Sequence, residues 1–161
     1  MIELLEKKKR KAFFEMVADE IKKNPERYKY FAWGAKNVQQ NPNYLKTEFL
    51  SKDGKKILGE FGYLHDVHND KIMALELICF KEASYTFTKD LFTFFEMLDS
   101  TYRNFELEII PNGLSYRLAC RAFKRFGFEL VGTKSKSVVL LDGKRYDVQI
   151  WEKKEADEWE E

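Results

Sequence analysis

Apolar residues recur at spacings of three and four in three segments of the chain, which predicts three amphipathic helices. The segments are residues 2–23, residues 88 to about 102, and residues 114–126. In the first, Phe14, Val17 and Ile21 lie on one stripe, and Asn24-Pro25 is expected to end the helix. The third should end at Gly127 in the left-handed conformation, which glycine adopts at little cost.

Apolar runs of a second kind, alternating or continuous, predict strands over residues 44–51, 57–66, 71–80 and 105–110, followed by a hairpin that ends at Trp151. The turn-forming clusters Asp53-Gly54 and His68-Asn69-Asp70 join the first three strands into an antiparallel meander. A two-residue turn at Asp142-Gly143 is expected in the hairpin, because the favoured turns of that length need positive φ.

This order of elements predicts a single α+β domain over residues 1–161. The helix at residues 88–102 connects strand 71–80 to strand 105–110, and such a crossover permits the two strands to be parallel. Residues 26–42 receive no assignment. Residues 152–161 carry six acids and two lysines, and a frayed helix or disorder is expected there.

Composition narrows the function classes only slightly. The chain has 161 residues, 28 basic and 27 acidic, with a net charge of +1, so no global field favours nucleic acid. Cys79 and Cys120 lie in apolar stretches and are expected to be buried thiols in a reducing cytoplasm. His65 and His68 are interpreted as loop histidines, and no metal is expected. No signal peptide or membrane span is predicted.

Residues 105–151 carry a family resemblance. A strand, a helix, the sequence GFELVG at residues 127–132, and a hairpin that reads DG and then YD follow one another. This order resembles the C-terminal half of the GNAT superfamily of N-acetyltransferases, and the resemblance extends over residues 44–151. It implies a mixed central sheet with flanking helices, in which strands 71–80 and 105–110 are parallel and splay apart toward their carboxyl ends.

In that family the splayed strands receive the pantetheine of acetyl-CoA, and the crossover helix meets the pyrophosphate with its amino end. The residues that the resemblance implies as cofactor-binding are Ile78, Cys79, Phe80, Tyr85, Thr86, Phe87, Thr88, Lys89, Asn112 and Arg121. Where the family has Arg or Gln and then glycines, this chain has Ala83, Thr86 and Thr88. Either threonine is alternatively an ordinary N-cap, and Asp90 near the helix start would repel an anion.

Glu76 is the candidate base, because it interrupts an apolar strand that is expected to be central in the sheet. The alternative is a glutamate paired with a Lys or Arg on the solvent side of the sheet, and Glu60, Glu106 and Glu108 are second choices for the base. Phe123 stands where the family has a Tyr that acts as the general acid, and Phe123 is interpreted as a core residue. Tyr116 is the candidate replacement, or else a half-buried tyrosine.

The resemblance implies direct transfer of an acetyl group from acetyl-CoA to a small-molecule or peptide amine in a ternary complex. The alternative is a catalytically inactive GNAT-like module that binds a protein partner. Neither nucleic acid nor membrane is an expected partner, and a homodimer is left open. The basic faces at residues 7–11 and around Arg121 and Arg125 are interpreted as solvated helix faces, with a nucleotide contact by either arginine as the alternative.

Overall fold

A computed structural model describes residues 1–26, 44–80, 84–111, 116–140 and 142–154. Three helices and seven strands lie within these ranges: β1 (Ile2–Leu4), α1 (Lys7–Lys23), β2 (Tyr44–Asp53), β3 (Lys56–Asp66), β4 (Lys71–Cys79), α2 (Tyr85–Thr101), β5 (Phe105–Ile109), α3 (Tyr116–Arg125), β6 (Glu129–Val139) and β7 (Arg145–Lys153). Residues 26–42, for which the sequence predicts no element, lie outside the described residues except for Glu26. No helix in the described ranges has the length and apolar character that crossing a membrane requires.

The strands form one mixed sheet in the order β1-β2-β3-β4-β5-β7-β6. All neighbouring strands are antiparallel except β4 and β5, which are parallel. Their registered pairing is confined to Ile72 and Phe105, where the Ile72 N–H donates to Asn104 O at 2.9 Å. The predicted α+β fold, with a parallel pair that stays together only at its amino ends, is therefore confirmed.

The two faces of the sheet pack against different helices. On β2, β3 and β4, Leu50, Glu60 and Ile78 are in register on one face, and Phe49, Phe61 and Leu77 are in register on the other. The apolar stripe of α1 covers Leu50 and Ile78 with Phe13 and Val17. The face that carries Phe61 packs against α2 and belongs to one core that also includes α3. We call the face under α1 the carboxylate face and the face under α2 the aromatic face.

The predicted first helix is wrong at its start. Residues 2–4 form β1, an edge strand that pairs with β2 through Ile2 and Ser51, and the helix begins only at Lys7. The edge of β2 offers backbone hydrogen bonds to this short segment, which helix periodicity cannot reveal.

The predicted start of the second helix is also wrong. Helix α2 begins at Tyr85, three residues early, because Ser84 caps it: the Phe87 N–H donates to Ser84 Oγ at 3.1 Å. Neither Thr86 nor Thr88 is the N-cap.

The turns follow the predicted glycines. Gly54, Gly127 and Gly143 have φ of 60°, 80° and 79°. The hairpin connection is longer than the predicted two residues, because Val139 pairs with Arg145 across it. Strand β7 continues to Lys153, so the first residues of the predicted frayed tail are strand, paired with β5. Residues 155–161 lie outside the described part of the chain. Cys79 and Cys120 are free thiols, one buried and one half-buried.

Candidate active site

The opening between β4 and β5 presents backbone amides of β4. The Phe80 N–H donates to Leu58 O at 3.0 Å, on the β3 side. Because successive residues of a strand send their N–H groups to opposite sides, the Ile78 N–H also points to β3. The N–H groups of Leu77 and Cys79 point instead toward β5, which has no registered pairing with β4 there. The N–H groups of Ile78 and Phe80 thus point away from this opening, whereas Leu77, which sequence reasoning did not single out, points its N–H into it; cofactor binding by Ile78, Cys79 and Phe80 stays a prediction.

The amino end of α2 lies just beyond β4. Ser84 Oγ accepts from Phe87 N and Ser84 O accepts from Thr88 N at 3.0 Å, so the N–H groups of Tyr85 and Thr86 remain at this helix end without an intrahelical acceptor. The Phe87 side chain is buried in the core and its N–H donates to Ser84 Oγ, so neither group faces this helix end freely, and a cofactor contact by Phe87 stays a prediction. Tyr85 and Lys89 are exposed, whereas Thr86 and Thr88 are half-buried.

Asp90 does not face this helix end, contrary to the expectation that it repels an anion. Its carboxylate is buried and accepts hydrogen bonds at 2.8 Å from Ser51 Oγ and from the amino group of Met1. The amino end of α2 therefore keeps its favourable electrostatics for an anion.

Glu76 belongs to a cluster on the carboxylate face. Glu48, Gly62 and Glu76 are in register across β2, β3 and β4, and Glu60 lies two residues before Gly62 on the same face. One carboxylate oxygen from each glutamate lies within 4.8 Å of the others. Lys46 Nζ contacts Glu76 Oε2 at 3.0 Å, and Arg10 Nε of α1 contacts Glu48 Oε1 at 2.5 Å. We call these five charged residues the carboxylate cluster.

Glu76 therefore has a basic partner, as the alternative interpretation predicted. The pair does not lie on the solvent side of the sheet, where that interpretation placed it. The pair with Lys46 is largely buried, with side chains 16% and 12% exposed, and it lies under α1 rather than on a solvent face of the sheet. Glu106 and Glu108, the second choices on β5, pair with Lys71 and Lys134 at about two-fifths exposure and stand apart from the cluster.

Several oxygens of the cluster have no hydrogen-bond partner among the residues that the structure describes. They are Glu48 Oε2, Glu76 Oε1 and both oxygens of Glu60. Burial raises the pKa of Glu60 well above its usual value, and the charges of Glu76 and Glu48 raise it further, against an opposing effect of Lys46. Glu60 is thus a fully buried carboxyl group with a strong preference for its protonated form.

Gly62 makes room for this arrangement. A Cβ atom at that position would lie 2.8 Å from Glu60 Oε1 and 3.3 Å from Glu76 Cβ. Sequence reasoning missed Gly62, Glu48, Lys46 and Arg10. A period of two in each strand could have placed Lys46 with Glu48 and Glu60 with Gly62, but only the register between strands brings them together.

Tyr116 lies at the other side of the opening. Its hydroxyl donates to Gln149 Oε1 at 3.0 Å, and Gln149 pairs with Ile109 at the carboxyl end of β5. Burial raises the pKa of Tyr116 above its usual value, so the phenol stays protonated at neutral pH. Phe123 is core, as predicted, packed against Phe95 and Trp151.

Three further predicted residues lie apart from the opening or outside the described residues. Arg121 is exposed on α3, and Asn112 lies outside the described residues. His65 lies on β3 rather than in a loop and contacts Asp70 at 3.0 Å.

Comparison with known proteins identifies the fold. No family model matches the chain, and no curated protein sequence matches it. Solved structures do. The ribosomal-protein alpha-N-acetyltransferase RimL in complex with coenzyme A aligns with a TM-score of 0.67 at 14% identity, covering 97% of this chain and 96% of that one.

Two further structures give the same result. The microcin C7 self-immunity acetyltransferase MccE, in complex with acetyl-CoA and AMP, aligns with a TM-score of 0.63 at 21% identity, covering 94% of this chain and 91% of that one. The spermidine N-acetyltransferase from Vibrio cholerae, in complex with CoA and spermine, aligns with a TM-score of 0.59 at 9% identity, covering 94% of this chain and 93% of that one. The chain therefore has the GNAT fold that the sequence predicted.

Proposed function

We propose that this protein is an acetyl-CoA-dependent N-acetyltransferase that transfers the acetyl group directly to an amine within a ternary complex. One observation carries the proposal: the GNAT fold keeps its opening between β4 and β5, and a largely buried glutamate lies on the β4 strand beside it. Structural neighbours with this fold are acetyltransferases with acetyl-CoA or CoA bound.

The residues around the opening fit the acyl donor. The Leu77 N–H points toward β5, where pairing with β4 has ended, and is placed to bond an amide of the pantetheine arm. The N–H groups of Tyr85 and Thr86 at the amino end of α2 are suited to the pyrophosphate, and Lys89 adds a positive charge one turn on. Acetyl-CoA supplies the thioester, whose carbonyl carbon an amine attacks. This chain supplies binding and proton transfer.

Glu76 is the proposed base. An acceptor amine reaches the site as an ammonium and must lose a proton before its nitrogen can attack. Glu76 Oε1 has no hydrogen-bond partner among the described residues, while Oε2 is held by Lys46. The oxygen Oε1 is therefore the one available to take that proton.

Tyr116 is the proposed donor of a proton to the departing thiolate. Its raised pKa keeps the phenol protonated, as an acid must be before it acts. In the described state its proton is engaged by Gln149, so it would have to turn from that acceptor during the reaction.

Calorimetry tests the binding half of the proposal. Acetyl-CoA and desulfo-CoA should each bind with one-to-one stoichiometry, and a buffer injection gives the background. Acetyl-CoA turnover, followed by release of the CoA thiol across a panel of primary amines, tests the catalytic half. Binding of neither ligand would contradict the proposal and favour a silent GNAT-like module that binds a protein. Phe123 and the absence of the usual glycines at Thr86 and Thr88 are the features that favour such a module.

A further inference from the structure

The carboxylate cluster is not balanced in charge. Its three glutamates carry three negative charges when ionised, and Lys46 and Arg10 provide two positive charges. Counted over the residues that the structure describes, one negative charge is left over in a nearly buried environment, where an uncompensated charge is costly. Two additions restore neutrality: a proton on Glu60, or one monovalent cation.

The unused oxygens show what kind of cation fits. Four carboxylate oxygens lack partners in the described part of the chain, and they belong to Glu48, Glu60 and Glu76. A primary ammonium carries one charge and three N–H donors, which matches this surplus of charge and acceptors. A divalent metal would leave one positive charge in excess. The cluster already binds one ammonium, that of Lys46.

The members of the cluster differ in exposure. Glu76 and Lys46 keep a little exposure, Arg10 keeps more, and Glu60 is completely buried. A ligand that enters beside Glu76 and Lys46 therefore reaches Glu76 before Glu60. Gly62, between Glu48 and Glu76 in the register, leaves the carboxylates room to close around a small group.

We propose that Glu48, Glu60 and Glu76 form the subsite for the acceptor's ammonium group, and that a bound ammonium replaces a proton held by Glu60. The proposal rests on the proposed function, since it assigns the acceptor side of the same site. The displaced proton passes to the solvent. Proton and ammonium compete for one location, so each must weaken the binding of the other by the same factor.

The charged groups that face Glu60 support this exchange. Lys46 and Glu48 face it from β2, Glu76 faces it from β4, and Arg10 reaches the cluster from α1. The two carboxylates raise the pKa of Glu60 and Lys46 lowers it, so a second ammonium beside Glu60 must lower it further. Amine binding and ionisation of Glu60 are thus coupled through direct contact.

The test is a titration of the whole chain with ethylammonium chloride, followed by NMR of the glutamate carboxyl carbons over a series of pH values. Below the titration midpoint of Glu60, the affinity for ethylammonium should rise about tenfold for each pH unit, because one proton leaves as one cation binds. Saturating ethylammonium should lower the midpoint of Glu60. Tetramethylammonium has the same charge and no N–H donor, and should bind much more weakly.

Two variants sharpen the test. Glu60→Gln should remove the pH dependence of ethylammonium affinity and weaken binding at neutral pH, while folding is retained because the amide mimics the protonated carboxyl. Glu108→Gln is the matched control: Glu108 is also a strand glutamate paired with a lysine, Lys134, but it is exposed and outside the cluster. That variant should keep both the affinity and its slope with pH.

Ethylammonium affinity that does not depend on pH, or that Glu60→Gln leaves unchanged, would overturn the proposal. Tighter binding of magnesium chloride than of ethylammonium would overturn it in favour of a metal site. The titration contains no acetyl-CoA, so its result tests the ammonium subsite independently of acetyl-CoA binding. Loss of acetyl-CoA binding contradicts the proposed function, and only the ammonium titration contradicts this subsite.

Discussion

The two faces of β2, β3 and β4 are built from the same strands and bury opposite chemistry. The aromatic face stacks Phe61 against Phe94 with ring centroids 5.3 Å apart and leaves neither residue exposed. The carboxylate face buries Glu48 and Glu60, the latter next to Phe61 on β3, and leaves oxygens of both without a hydrogen-bond partner among the described residues. Burial on the first face stabilises the fold, whereas burial on the second costs free energy.

This difference shows which face of the sheet holds the fold together, and it leaves the carboxylate face as the one to which we assign the chemistry. A pleated strand sends alternate residues to opposite faces, so one strand can serve both purposes without compromise. On the aromatic face, each apolar contact adds to the stability of the fold. The carboxylate face tolerates a costly cluster because the other face supplies the stability.

The largest effect is expected on the aromatic face. Phe94→Ala should lower the free energy of unfolding by about 3–5 kcal/mol, since it removes a fully buried ring and leaves a cavity between α2 and the sheet. Denaturant unfolding measures this. Tyr85→Ala, an exposed aromatic on the same helix, is the control and should change stability by less than about 0.5 kcal/mol. Equal losses in both variants would contradict the contrast between the faces.

A pair of glycines on β3 gives a smaller and more selective effect. A Cβ at Gly59 would lie 2.1 Å from the backbone oxygen of Ile78 and 2.6 Å from the ring of Phe87, whereas at Gly62 the nearest atom is the Glu60 carboxylate. Backbone cannot move cheaply, so Gly59→Ala should destabilise by about 1–3 kcal/mol or more. Gly62→Ala should cost less stability, because a side chain can shift, but should impair amine binding.

Thermal or denaturant unfolding of the two alanine variants, together with the ethylammonium titration, separates these outcomes. If Gly62→Ala were the more destabilising variant and bound amine normally, Gly62 would not be the residue that makes room for the carboxylate cluster.

The last contrast between the faces concerns the pH dependence of stability. The folded-state pKa of Glu60 lies above 4.5, the value expected in the unfolded chain. Below pH 4.5 Glu60 is protonated in both the folded and the unfolded chain, so its burial does not yet lower the free energy of unfolding through ionisation. As the pH rises toward the folded-state pKa, only the unfolded chain releases the proton, so the free energy of unfolding falls by roughly 1.4 kcal/mol for each unit of pKa difference.

Glu60→Gln should abolish this decline and leave the protein more stable than the wild type at neutral pH. Unfolding curves recorded in steps from pH 4 upward provide the measurement, with Glu108→Gln as the control that keeps the decline. A glutamine variant less stable than the wild type at neutral pH would show that an ionised Glu60 contributes to stability.

Local signals in the sequence predicted most of the fold. Gly127 ends α3 where the apolar stripe stops, and Asp53-Gly54 turns β2 into β3, because each needs only the conformational preference of one glycine. The strand at residues 2–4 was not predicted, because its hydrogen bonds come from β2, about fifty positions away in sequence.

The candidate site was predicted less completely for the same reason. Glu76 was visible as a charge in an apolar strand, and Glu60 was named only as a second choice. Lys46, Glu48 and Gly62 became visible only through the register of three strands, and Arg10 through the packing of α1. Register and helix docking depend on contacts between distant segments, so no local pattern gives them.

In the proposed function, Glu76 on the carboxylate face supplies the base for acetyl transfer. The decisive measurement is the pH–rate profile of acetyl-CoA turnover with a saturating primary amine, in wild type and Glu76→Gln. We expect a rate that is lower by about 10²–10⁴-fold in the variant and a flattened rising limb, with acetyl-CoA affinity unchanged. Glu108→Gln should behave like the wild type. If Glu76→Gln keeps the wild-type rate and pH profile, Glu76 is not the base.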